Sequence, residues 1–202
     1  ARSATKAGVP SPIRAGKVDV RTSTRGLGIG WVPGVRGGGE IKVYDISVVG
    51  SAGFLGSAVV RAARSEGREV GEFGRTRPLV VDGDLDAEAA SSRHLVWAAG
   101  TLSPVLAQER GDLVQAELDY FREVLTAVTR AAPQQHILLL GSGGTAYDIE
   151  DPAPHSETSP VAPSSAYGRY KLAQEEVLRD SGVAHTVLRV ANAYGPGQKG
   201  AR

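Results

Sequence analysis

The sequence predicts an α/β protein built on a doubly wound parallel sheet, and three observations carry that prediction. Short apolar runs alternate with helix-length amphipathic stretches along most of the chain. One run, Ile46 to Val49, breaks at Gly50, and Gly53 and Gly56 follow before a helical pattern begins at Phe54, Leu55, Ala58, Val59 and Val60. A later run, His136 to Leu140, is unbroken, as expected of a strand buried on both faces.

The totals narrow the class. A chain of 202 residues is long enough for one such domain with a real core, and its 41% hydrophobic content is ordinary. A net charge of +1 points to neither nucleic acid nor membrane as partner. No stretch reaches the roughly 18 apolar residues of a membrane span, so the expected location is cytoplasmic. Cysteine is absent, which excludes disulfides and thiolate metal sites. His94, His136, His155 and His185 lie far apart, and no metal site is expected. Methionine is absent even at position 1, which suggests a processed chain or a fragment.

Residues 1–41 differ from the rest. They hold seven Lys/Arg against Asp19 and Glu40, nine glycines and no sustained apolar period, whereas residues 42–202 carry 16 basic and 20 acidic groups. Such a segment buries too little apolar surface to offset its ordering entropy. It reads as a disordered tail or non-native sequence, with a transit peptide as the third option, and the folded domain, residues 42–202, is expected to start near Ile41.

The elements follow in order. Strand, glycine turn and helix over residues 46–63 have the form of a dinucleotide-binding turn of Rossmann type. Gly50 permits a tight turn, Gly53 lets backbone approach a pyrophosphate at the helix N-terminus, and Gly56 lets helix pack close on strand. Arg68 to Phe73 is the second strand. The acid that usually holds a ribose 2′-hydroxyl beyond it is replaced by Gly74, with Arg75 and Arg77 after it. Guanidinium groups suit a 2′-phosphate, which favours NADP over NAD. The competing reading makes both arginines solvated and Glu72 the ribose ligand. Leu79 to Val81 is the third strand, and Asp82 to Asp86 then stands where it borders an adenine. Leu95 to Ala98 is the fourth, ending in small residues over which a cofactor can lie. A helix over 112–131 shows one apolar face of Leu113, Ala116, Tyr120, Phe121, Val124, Leu125 and Val128. The fifth strand ends in Gly141-Ser-Gly-Gly-Thr-Ala-Tyr147, and a Pro-rich loop leads to a helix capped by Ser164 or Ser165 and stopped at Gly182. His185 to Val190 is the sixth.

Tyr167 and Lys171 are four apart on that last helix and leave from one face. A phenol with a pKa of about 10 is a poor base. A neighbouring ammonium, together with a positive nicotinamide ring, is expected to favour the phenolate. Tyr167 then takes a proton from a substrate hydroxyl while hydride leaves the same carbon, and donates in reverse. Lys171 is also placed to hold the nicotinamide ribose.

These motifs together resemble the NAD-dependent epimerase/dehydratase branch of the extended short-chain dehydrogenase/reductase superfamily, which includes UDP-glucose 4-epimerases. The resemblance rests on Gly50-Ser-Ala-Gly-Phe-Leu-Gly56, Asp84-Leu85, Ala98-Ala99-Gly100, Tyr167-Gly-Arg-Tyr-Lys171 and Leu188-Arg-Val-Ala-Asn-Ala-Tyr-Gly-Pro196. It implies that Gly50, Gly53, Phe54, Leu55, Gly56, Asp84, Leu85, Ala98, Ala99 and Gly100 bind NAD or NADP. It implies that Asn192 approaches the phosphates of a nucleotide sugar, and that a smaller substrate domain follows the cofactor domain. The chain stops just past the sixth strand, so that domain is expected to be missing and this fragment inactive alone. Three departures stand out. The Ser/Thr of the family triad aligns with Gly143, leaving Thr145 or Ser142 as its replacement. Gly144 and Thr145 occupy the Asp-Glu positions of the 4,6-dehydratases, which argues against dehydration. Gly74 weakens the usual NAD preference.

The leading functional expectation is a nucleotide-sugar 4-epimerase working by transient oxidation at C4. An NADPH-dependent carbonyl or keto-sugar reductase is the second, and a non-catalytic NAD(P)-binding sensor or scaffold the third. The resemblance also implies a homodimer formed by the two long helices, with Phe121, Val124 and Leu125 facing either that seam or their own sheet.

Overall fold

The structure, a computed structural model, describes residues 17–18, 35–36, 41–148, 150–151 and 154–198. Three short strands come first: β1 (Lys17–Val18), β2 (Val35–Arg36) and β3 (Ile41–Lys42). Then follow β4 (Ile46–Val49), α1 (Phe54–Ser65), β5 (Val70–Phe73), β6 (Val80–Val81), β7 (Asp84–Asp86) and α2 (Ala87–Ser91). The second half holds β8 (His94–Trp97), α3 (Pro104–Glu109), α4 (Gly111–Ala131), β9 (His136–Ser142), a 3-10 turn at Gly143–Thr145, α5 (Ala166–Asp180) and β10 (His185–Val190). Within the segment 1–41, β1 pairs with β3 and β2 with β7, and Ile41 opens β3; the remainder of the expectation for that segment lies outside the described residues. Among the described residues no helix is long and apolar enough to cross a membrane.

Five strands form the parallel sheet, in the order β10-β9-β8-β4-β5. The chain goes outward from β4 to β5, then returns to the other side of β4 at β8 and continues to β10. That reversal opens a crevice at the carboxyl ends of β4 and β8, where ligands bind in open sheets of this kind. Strand alternation supplies both faces. Val48, Val96 and Leu140 meet Val60 of α1 on one face. Val49, Leu95, Trp97, Ile137 and Leu139 meet Phe121, Val124, Leu125 and Val128 of α4 and Leu178 of α5 on the other.

One expectation is corrected and one open alternative is decided. The expected third strand does not enter the parallel sheet. β6 pairs antiparallel with β7 in a separate sheet, through a turn in which Asp82 (φ 51°) and Gly83 (φ 80°) both have positive φ. Two residues with that twist make a hairpin, whereas a parallel crossover needs about a dozen or more. Phe121, Val124 and Leu125 are at most 2% exposed and face their own sheet, so they are not available to a subunit seam.

Phe121→Ala is therefore expected to cost about 3–5 kcal/mol in urea unfolding, the range for emptying an aromatic core site. The loss should be independent of protein concentration; a concentration-dependent loss would return the ring to an interface.

Candidate active site

The crevice begins at Gly50, held at φ 83° with its N–H on the Phe73 carbonyl at 2.9 Å. A Cβ at Gly50 would lie 2.7 Å from the backbone of Ala99, and one at Gly56 would lie 2.1 Å from the Gly50 carbonyl oxygen. Helix, turn and neighbouring strand end thus meet backbone to backbone. Gly53 is the N-cap of α1, without a side-chain cap or an acid in the first turn. The first-turn N–H groups receive no side-chain acceptor from the cap, which fits a pyrophosphate. Leu55 packs into the core on the α1 face, so what it offers a cofactor is its backbone. Ala98 and Ala99 are partly buried beside this turn and Gly100 is exposed.

At the end of β5 the chain turns back on itself, Gly74 N–H donating to Arg77 O at 2.9 Å and Arg77 N–H to Gly74 O at 3.2 Å. Arg75 and Thr76 stand exposed at its tip, and a Cβ at Gly74 would meet nothing within 4 Å. The two arginines separate here. Arg77 is bound to Asp86 at 3.2 Å and Glu88 at 2.7 Å, and its guanidinium lies 4.3 Å from the Phe73 ring centroid. In this structure Arg77 is held by these two acids, whereas Arg75 stands in solvent. Glu72, the competing ribose ligand, pairs with Arg64 in the last turn of α1, at the other end of that helix from the glycines. Leu85 is fully buried, and the Asp84 carboxylate pairs with Arg130 at the far end of α4.

The second wall is α5. Ser165 caps it by accepting from the Gly168 N–H at 3.0 Å. A Cβ at Gly168 would lie 2.4 Å from the Thr145 carbonyl oxygen, so only glycine lets the first turn of α5 rest on the turn after β9. This contact sets the start of α5, and with it the backbone of Tyr167, on the turn that carries Thr145. The Thr145 hydroxyl donates to Ser142 Oγ at 2.8 Å, so the two candidate hydroxyls form a pair. A side chain at Gly143 would press on the Arg189 carbonyl oxygen at 3.0 Å. Asn192 reaches the same place, its Oδ1 3.3 Å from where a Cβ of Gly144 would stand.

The electrostatics differ from expectation. Lys171 is 7% exposed and donates to Gln174 Oε1 at 2.7 Å. Burial lowers its pKa to about 8, against the pull of the Glu117 and Glu175 carboxylates. Tyr167 is not acidified. Burial raises its pKa, and the negative charge of Glu117 raises it further. In this structure burial and the Glu117 charge both favour the protonated phenol.

Sequence reading missed two acids. Glu117 of α4 accepts from the Thr101 N–H at 2.7 Å and from the Tyr170 hydroxyl. Glu175, 3% exposed, binds Arg189 of β10 at 2.7 Å, and Arg189 Nη1 donates to the Tyr147 hydroxyl at 3.0 Å. Tyr147 stacks on His155, with ring centroids 4.3 Å apart. The Pro-rich loop is thereby fastened to β10 and α5. Both acids had a visible signal: Glu117 falls on the apolar stripe of α4 with Phe121 and Val124, and Glu175 lies one turn beyond Lys171. A groove lined by Arg122, Thr126, Thr129, Arg130, Val177 and Asp180 runs between the C-terminal turns of α4 and α5, at the opposite end of the sheet from this site.

Residues 46–202 match the family model described as NAD dependent epimerase/dehydratase family. The chain is 27% identical over 182 residues to a UDP-glucose 4-epimerase of Azospirillum brasilense, covering 74% of this chain and 49% of that protein. It is 29% identical over 156 residues to a probable dTDP-4,6-dihydroxy-2-methyloxan-3-one 4-ketoreductase of Streptomyces antibioticus, covering 73% and 51%. It also resembles the solved structure of an NAD dependent NDP-hexosamine 5,6-dehydratase involved in tunicamycin biosynthesis, at 26% identity and a TM-score of 0.62 over 77% of this chain and 57% of that one. The chain spans about half the length of these curated relatives.

The buried lysine has a consequence for stability. Its pKa falls from the usual 10.5 to about 8, so between those values the unfolded chain binds the extra proton. Stability should therefore rise with pH across that window, by about 3 kcal/mol at most. Tyr167 and Tyr170, whose pKa values are raised by burial, act in the opposite sense above about pH 10. Urea unfolding of the unmutated chain against Lys171→Met should show the difference growing from pH 8 to 10; a flat difference would mean the ammonium is not desolvated.

Proposed function

The chain belongs to the NAD dependent epimerase/dehydratase family, and from that premise we propose that it is the cofactor-binding part of a nucleotide-sugar 4-epimerase. The observation that supports the reading is the close approach of Gly168 to the Thr145 carbonyl, which rests the start of α5, carrying Tyr167 and Lys171 one turn apart, on the turn that holds the Ser142–Thr145 hydroxyl pair. The glycine cradle at the head of α1 fits a dinucleotide, and a bound nicotinamide would supply the hydride acceptor and donor. Tyr167 removes the proton of the sugar C4 hydroxyl as that carbon is oxidised, and returns it to the oxygen when hydride comes back to the other face. The Ser142–Thr145 pair hydrogen-bonds the same oxygen and spreads the developing charge. Lys171 steadies the phenolate and the ribose hydroxyls, and Asn192 orients the sugar nucleotide through its phosphates. The pair of long helices makes a homodimer the proposed assembly.

One-way reduction of a keto sugar with NADPH is the second reading. It is favoured by the protonated state of Tyr167 and by the open space above Gly74 next to Arg75. Here Tyr167 only donates, its proton going to the carbonyl oxygen as the carbon takes hydride.

In the intact protein carrying this chain, Tyr167→Phe should lower kcat/KM by about a hundredfold or more, the contribution of a positioned proton donor. Epimerisation leaves absorbance at 340 nm flat through many turnovers; steady loss of NADPH with a keto sugar selects the reductase. An unchanged rate in Tyr167→Phe would end both readings.

Fluorescence titration of the chain with NADPH and NADH separates the cofactors. Arg75→Ala should weaken NADPH by about tenfold or more, the loss of one charge-assisted contact, and leave NADH unchanged. Equal loss for both would remove Arg75 from the 2′-phosphate.

A further inference from the structure

Glu117 is the one acid that acts on both Tyr167 and Lys171 among the described residues, and it does so from a different helix. Its Oε1 accepts from the N–H and hydroxyl of Thr101, on the loop after β8, while Oε2 accepts from the Tyr170 hydroxyl on α5. A Cβ at Gly100 would stand 3.9 Å from both Glu117 Oε2 and the Tyr170 oxygen, so the carboxylate lies directly under the small residues over which the cofactor is placed. Tyr170 shares its helix face with Tyr167, the ring centroids being 6.1 Å apart.

We propose that Glu117 is a positioning residue for the Tyr167–Lys171 pair, tying the loop after β8 to the face of α5 that bears both and fixing a negative charge beside them. The inference rests on the reading of Tyr167 as the acid–base group. Three donors, two from Thr101 and one from Tyr170, converge on the one carboxylate. That charge works on its neighbours in opposite senses, against the phenolate of Tyr167 and for the ammonium of Lys171. It also takes up the hydroxyl of Tyr170, the second phenol on this face. Tyr167 is left as the phenol free to exchange a proton, and it starts from the donating state.

The other charges around the pair are accounted for. On α5, Glu175 faces Lys171 and is held by Arg189 from β10, which in turn binds Tyr147, after the 3-10 turn that follows β9. On the side of α3, Glu109 and Arg110 are exposed, and Arg110 is held by Asp112. Removing the Glu117 charge therefore leaves Tyr167 without the acid that raises its pKa.

The test is a pH titration of the chain labelled with [13Cζ]tyrosine, with the Tyr167 resonance assigned by Tyr167→Phe. In Glu117→Gln the Tyr167 midpoint should move to lower pH, and Glu117→Asp should restore it. A purely structural role predicts no movement in a folded Glu117→Gln, and that result overturns the proposal. Should Glu117→Gln not fold, Tyr170→Phe decides: it removes the hydroxyl that Glu117 Oε2 accepts, so the Tyr167 midpoint should move, and an unmoved midpoint counts against the proposal. None of these readouts needs turnover. A Tyr167 midpoint that moves while Tyr167→Phe retains full activity would uphold the role of Glu117 in setting the charge and end the proposed function instead.

Discussion

Everything at the proposed site depends on backbone approaching backbone where a side chain would prevent it. At Gly50 and Gly56 the first strand, its turn and α1 are drawn together against the end of β8. At Gly168 the head of α5 comes down onto the Thr145 carbonyl. The first contact opens a helix N-terminus toward the crevice; the second rests the start of α5, which carries Tyr167 and Lys171, on the turn that carries Thr145. Neither delivers chemistry by itself. The parallel sheet makes them coincide, because its reversal at β4 leaves the carboxyl ends of β4, β8 and β9 on one edge.

The charges behind that edge are arranged to keep α5 in one register. Lys171, Glu175 and Gln174 are all at most 7% exposed, an expensive set to bury. Glu175 is matched by a bidentate guanidinium from β10, and Lys171 by a hydrogen bond from its own helix and by two acids nearby. Buried pairs of this kind add little net stability over apolar residues of similar size, but leaving one partner alone is costly. A shift of α5 along its axis would separate Glu175 from Arg189 and Tyr170 from Glu117 together. The network thus resists small displacements of Tyr167 that apolar packing alone would tolerate.

Much of this was legible in the residues, and what was not has specific physical causes. The glycine turn, the helix bearing Tyr167 and Lys171, and the strands expected at 46–49, 68–73, 95–98, 136–140 and 185–190, and found at 46–49, 70–73, 94–97, 136–142 and 185–190, followed from period and punctuation. The short apolar run Leu79–Val81 looked like another sheet strand because periodicity does not say which sheet a strand joins; the Asp82-Gly83 pair did, as a hairpin signal. Arg75 and Arg77 were indistinguishable in sequence, since their separation depends on Asp86 and Glu88 closing around one of them from a later element. For Glu117 the sequence showed its place on the inward stripe of α4 but not its partners. Its partners Thr101 and Tyr170 are 16 and 53 residues away, and no local pattern reports a contact at that distance.

The acidity of Tyr167 is where local reasoning was furthest from the folded chain, and it bears on direction. Spacing on a helix pairs the phenol with a cation and suggests a base. Folding buries both groups, which raises the phenol and lowers the amine, and then adds an anion from α4. Both changes favour the neutral or donating form of Tyr167 before any ligand binds. A catalyst that only reduces uses that state as it stands. One that epimerises must first shed the proton, so it needs the positive charge of an oxidised nicotinamide close to the ring to offset the carboxylate beneath Gly100. The same carboxylate therefore weighs differently on the two readings: it aids the donating step in either and opposes the abstracting step that only the epimerase requires.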